Sequence, residues 1–156
     1  MPKLRQVNEP GNGVGKKRQA LYAIGTKRIE MALKRGFALE AITLCESMMS
    51  DRLESRKAWK SQQLNDYRRF TTLGKLARQL CSDHSEPAHA RDIYIEVKAW
   101  ADKRNSALHE MFKLAEGDGR SWRKRYQEAR EIAREGIKLA RKVSNLVRSL
   151  NRPARP

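Results

Sequence analysis

Residues 121–150 read SWRKRYQEAREIAREGIKLARKVSNLVRSL, and their apolar positions decide the fold class. Trp122, Tyr126, Ala129, Ala133, Ile137, Ala140, Val143, Val147 and Leu150 recur at intervals of three and four, the period of one buried helix face. One position round from that seam lie Arg123, Arg130, Arg134, Lys138, Arg141 and Arg148. Six cations with few acids among them suit a phosphate track better than a merely solvated face.

Working back along the chain, the same period returns and no stretch alternates with period two, so no sheet is expected. A helix is predicted over 17–35, with Tyr22, Gly25, Ile29, Ala32 and Leu33 inward and Gly36 as its stop. A second runs from Phe37 to Gln62, with Leu39, Ile42, Cys45, Met49 and Leu53 along one face; Glu46 and Asp51 fall within it. A third covers Thr72 to Cys81. Residues 82–90 read as a loop containing Pro87. A fourth helix is predicted from Arg91 to Glu116, with Ile93, Val97, Trp100, Ala101, Ala107, Leu108, Met111, Phe112 and Ala115 inward, ended by Gly117-Asp118-Gly119. The expected architecture is all-α, one bundle of four to five helices. Residues 1–15 form a flexible arm, 16–151 the helical domain and 152–156 a basic tail.

The 156 residues carry a net charge of +16, which calls for a polyanionic partner, nucleic acid before anionic membrane. The charge is uneven. Lys and Arg outnumber Asp and Glu by 9 to 2 over residues 1–35 and by 12 to 3 over 120–156, whereas 36–119 balances at 13 to 13. No apolar run is long enough to span a membrane and the first fifteen residues do not read as a signal peptide. A cytoplasmic location with Cys45 and Cys81 as free thiols is expected. Gly11, Gly13 and Gly15 before Lys16 lack the spacing, the following Ser or Thr and the preceding strand of a phosphate loop. Cys81, His84 and His89, with Asp83 and Glu86, lack a fourth ligand and a second Cys pair, so no metal site is expected. Trp59, Trp100 and Trp122 are expected as packing anchors. Trp122 is the exception, since Arg120, Arg123, Lys124 and Arg125 surround it and an aromatic in a basic cluster can stack a base.

The neutral middle holds the chemistry. Arg104-Asn105-Ser106-Ala107-Leu108-His109 places a guanidinium and an imidazole on one helix, the pair needed to hold a phosphate and move a proton. With twenty arginines, a bare Arg-to-His spacing arises easily, and Arg78 to His84 is a second instance. Only Arg104 is followed directly by Asn, and the other pair straddles a predicted helix end. On an ideal helix Asn105 and His109 face the same way, while Arg104 lies about 140° round from His109, beside the apolar seam. There an arginine is costly unless it is paired or lines an interface.

This arrangement resembles the HEPN (higher eukaryotes and prokaryotes nucleotide-binding) domain superfamily, in which an Arg, usually followed by a polar residue, precedes a His late in an all-α bundle. Arg104-Asn105 and His109 match the shortest form. Gly36-Phe37-Ala38-Leu39-Glu40-Ala41-Ile42, leading to Glu46, is similar to the helix that comes before the motif. The likeness covers residues 17–150. It implies a metal-independent endoribonuclease of toxin or antiviral-defence type, needing no cofactor and working as a homodimer with both motifs at one cleft. His109 would transfer protons, Arg104 would hold the scissile phosphate, Asn105 would orient either, and Glu46 would support them. RNA (tRNA, mRNA or rRNA) is the expected partner, bound by Arg120, Arg123, Lys124, Arg125, Arg130, Arg134 and Arg141. An antitoxin or a defence-complex protein is a further partner class, and no membrane is expected. The alternative is a non-catalytic RNA- or DNA-binding or scaffold module of a phage or defence assembly.

Overall fold

The computed structural model describes residues 11, 13–61, 71–111, 113 and 116–151. Five helices carry them: α1 Val14–Arg35, α2 Ala38–Ser61, α3 Leu73–Cys81, α4 Ala88–His109 and α5 Trp122–Leu150, with no strand among the described residues. The fold is an all-α bundle. Residues 1–10 of the expected arm, and the tail 152–156, lie outside the described residues.

Local chemistry sets the helix ends. Gly36 takes φ 81°, a left-handed conformation that glycine adopts without steric cost. Its N–H and that of Phe37 return to the Leu33 and Ala32 carbonyls, closing α1 so that α2 doubles back at once. Thr72 and Ser121 cap α3 and α5, each side chain accepting from the backbone N–H three residues on.

Two boundaries differ from the sequence reading. α1 begins at Val14 rather than Lys17. α4 runs over 88–109 rather than 91–116. Pro87 immediately precedes α4, where its fixed φ and missing N–H cost the helix nothing, so the predicted loop over 82–90 gives up its last three residues. At the other end the chain leaves the helix after His109, with Glu110 as C-cap. Met111 is buried, so an apolar residue there continued the helical pattern without continuing the helix. Phe112 and Ala115 of the expected inward face lie outside the described residues.

α2 and α5 run the same way and form the most extensive pairing. The Tyr126 hydroxyl accepts from Ala38 N–H at their start, and Arg56 donates to the Leu150 carbonyl at their end. α1 lies antiparallel to α2, and α4 antiparallel to α5, with the Trp100 indole N–H donating to the Ile132 carbonyl at 2.9 Å. α3 packs on α4. Ile29, Ile42, Cys45, Met49, Leu53, Leu76, Tyr94, Val97, Val143 and Val147 form the core.

One end of the bundle is clamped by a buried ionic network. Glu86, only 2 % exposed, accepts from Arg56 at 2.9 Å and from the Tyr94 hydroxyl at 3.0 Å, and pairs with Lys60 at 2.9 Å. Arg56 also donates to Asn151 at 3.1 Å. The loop before α4, the ends of α2 and α5, and α4 itself meet here. Every member is satisfied, as burial of charge requires.

Candidate functional site

Arg104 points inward from α4, and its guanidinium is paired with the Glu46 carboxylate of α2. The arginine side chain is 15 % exposed and the glutamate 25 %. This answers the cost of an arginine beside the seam. Burial still lowers the Arg104 pKa from its ordinary value, and its Nε is buried without a hydrogen-bond partner. The guanidinium therefore has donor capacity beyond its one carboxylate.

Asn105 and His109 are exposed and lie one turn apart. They continue the side of α4 that meets α3, for Ala101, one turn before Asn105, sits against Gly74 at the start of α3. α3 begins at Leu73, so beyond Ala101 that side is not covered by α3. The imidazole is thus on the last turn of α4, turned away from the inward Arg104. A single chain brings Arg104 to Glu46, and Asn105 to the side of His109, without turning Arg104 and His109 toward one another.

The expected phosphate-binding set divides. Arg123, Lys124 and Arg134 are exposed and Arg130 half-buried; none is ion-paired among the described residues, and the same holds for Lys138 and Arg148. Arg141 is exposed and paired with Glu30 of α1. Arg120 and Arg125 are engaged within the protein. Arg125 is 7 % exposed, donating to the Glu110 carbonyl and, at 2.9 Å, to Asp118. Arg120 donates to both Asp118 oxygens at 2.9 and 2.8 Å and to Glu128 at 2.9 Å. The hydrogen bonds from Arg120 hold the Asp118 carboxyl well below the usual carboxylate range. Both arginines are committed to tying the end of α4 to the start of α5. Asp118 was the missed residue; a lone acid between two glycines, just before a helix rich in arginine, was its signal.

Trp122 is 53 % exposed and stacked on Tyr126 with ring centroids 6.4 Å apart, whereas Trp100 is buried and Trp59 is exposed. Trp122, Arg123 and Lys124 stand at the same end of the bundle as His109, because Arg125 reaches the Glu110 carbonyl one residue past it.

α5 carries opposite charge on two flanks. The cationic stripe faces α1, where Arg141 meets Glu30. The flank toward α4 borders an open groove of about 710 Å³ lined by Asp102, Glu110, Glu128, Glu131 and Glu135, with Lys103 and Arg120. This groove contains none of Arg104, Asn105 and His109, and its acids disfavour a polyanion.

Of the residues weighed as metal ligands, Asp83 is held by Lys60 and Ser85 and Glu86 by the buried network. Among the described residues no three His, Cys, Asp or Glu side chains gather as a metal-binding group. No helix among them is long and apolar enough to cross a membrane.

Fold and site together define an all-α, five-helix bundle with a cationic flank and an inward Arg–Glu pair beside an exposed Asn–His turn. No family model, curated protein or solved structure matches the chain.

Proposed function

We propose that this protein is a metal-independent, HEPN-like endoribonuclease that acts as a homodimer. The observation that carries the reading is the Arg104–Glu46 pair, formed on the same helix as the exposed Asn105–His109 turn. A half-buried carboxylate orients the guanidinium and leaves it donors for a phosphate oxygen. His109 takes the proton of the ribose 2′-hydroxyl as its oxygen attacks phosphorus. The bond from phosphorus to the 5′-oxygen breaks, and that oxygen takes a proton from water as it leaves. Arg104 offsets the charge that develops on the phosphoryl oxygens. The products carry 2′,3′-cyclic phosphate and 5′-hydroxyl ends. Because Arg104 and His109 diverge within one chain, the imidazole of a second copy completes the cleft, and Trp122, Arg123 and Lys124 at the same end hold the flanking nucleotides.

A second reading, a nucleic-acid-binding module without catalysis, is favoured by the unpaired cations of α5, which bind phosphates whatever His109 does. One experiment separates the two. Wild type, Arg104→Ala and His109→Ala are incubated with tRNA and total RNA in excess EDTA, and the product ends are analysed. Cleavage by wild type with cyclic phosphate ends, reduced about 10²–10⁴-fold in either variant, supports the nuclease. Equal behaviour of all three sinks it and leaves the binding module.

A further inference from the structure

Beyond Arg104 and His109, the ends of α2 and α5 and the start of α1 bring arginines together without bonded counter-charges for two of them. Arg52 of α2 lies with its guanidinium carbon 3.8 Å from the centre of the Tyr22 ring of α1. Its Nε is buried and has no hydrogen-bond partner. The adjacent carboxylate, Asp51, is shared: it accepts from the Tyr22 hydroxyl, stands 4.0 Å from Arg18 and offsets the Arg52 charge only in part. One turn along α2, Arg56 donates to the Leu150 carbonyl at 3.2 Å, which fixes the last turn of α5 beside this stretch. That turn carries Arg148, exposed and without an ion pair among the described residues. Burial lowers the pKa of Arg52; Tyr22 and Asp51 oppose that shift, and Arg148 and Arg18, both near enough to repel it, add to it.

A half-buried guanidinium with an unsatisfied N–H, repelled by neighbouring guanidiniums, is destabilising unless something supplies acceptor oxygens and negative charge. The Tyr22 ring satisfies one face of Arg52 but offers its Nε no acceptor. The position is also where the unpaired cations of α5, Arg134 and Lys138, lead along the flank that faces α1. We propose that Arg52 and Arg148, with Arg18 at the edge, form a binding site for a phosphate oxyanion at the α1–α2–α5 junction. Two guanidiniums from different helices match the oxygens of one phosphate group. The phosphate belongs either to the backbone of a bound strand or to a terminal or free monoester.

The test uses full-length His109→Ala protein, so that binding is read without cleavage, and does not depend on whether the proposed nuclease reading survives. A labelled 12-nucleotide single-stranded oligoribonucleotide, with 5′-phosphate or 5′-hydroxyl, is titrated across a salt series. Inorganic phosphate serves as competitor. Arg52→Gln and Arg148→Gln are each expected to weaken binding by about tenfold. Each should also lower the slope of log K against log salt by about 0.7. Arg148 is exposed, so its variant reports on the site even if Arg52→Gln disturbs packing under Tyr22. Arg78→Gln, which removes the same charge from the exposed surface of α3, is expected to have little effect. If the 5′-phosphate tightens binding and the two site variants abolish that advantage, the site takes a terminal monoester. Equal weakening of both oligonucleotides assigns it to the strand backbone. Unchanged affinity and slope in Arg148→Gln, or an equal loss in Arg78→Gln, overturns the proposal.

Discussion

At the scale of single residues, Gly136 shows how a poor helix former can be the right one. It lies mid-way along α5, where glycine costs about 1 kcal/mol against alanine. A Cβ added there would sit 2.7 Å from Cζ2 of Trp100, and that indole is seated by its bond to the Ile132 carbonyl. Trp100 cannot move off without breaking the bond. Gly136→Ala is therefore expected to lower stability by about 1–2 kcal/mol, overpacking outweighing the gain in propensity. A denaturant midpoint equal to or above that of wild type would contradict this. Neither Gly136 nor Tyr94 was singled out in the sequence, because the spacing that marks an inward position does not name the residue facing it. Arg104 is the opposite case. Its angular position on an ideal helix already demanded a partner, and Glu46 is that partner.

At the scale of elements, the strongest constraint is the network around Glu86. Arg56→Ala removes the better-buried of its two cations. An uncompensated buried carboxylate costs about 3–5 kcal/mol, and Lys60, which remains in reach, sets the expectation at the low end, about 3 kcal/mol. Arg56→Met combined with Glu86→Gln should lose less, because it leaves no unpaired charge. If the single variant unfolds at the wild-type midpoint, the clamp contributes nothing. Most helix spans were legible from period and punctuation, Gly36 ending α1 as its residue type predicts; the caps at Thr72 and Ser121 came from the structure. The end of α4 was not. Met111 kept the apolar rhythm past His109, and rhythm records which side is buried, not whether the backbone is still helical.

For the whole molecule, the division of charge on α5 matters more than the net +16. The flank toward α1 is cationic, and the groove toward α4 carries more acids than bases. RNA bound to the first flank should lose affinity and salt dependence when Arg134→Gln and Lys138→Gln are combined, the slope falling by about 0.7 for each lost contact. Glu131→Gln, in the acidic groove, should weaken nothing. Equal sensitivity on both flanks, read by titration at several salt concentrations, would mean that binding follows net charge alone.

The sequence by itself determined the all-α class, most helix spans and the inward face of α5 beyond Trp122, because periodicity is a local property that survives without knowledge of neighbours. It also put Asn105 and His109 on one side of their helix and Arg104 on another, since angular spacing along one helix is fixed by 3.6 residues per turn. Only the tertiary structure decided which cations are free. Arg120 and Arg125 read as surface charge until Asp118, Glu110 and Glu128 were brought around them. Arg52 is set apart only by the fold, which places the Tyr22 ring on its guanidinium. Availability of a charge depends on which opposite charges the fold places within about 4 Å, and that distance is not written in the order of the residues.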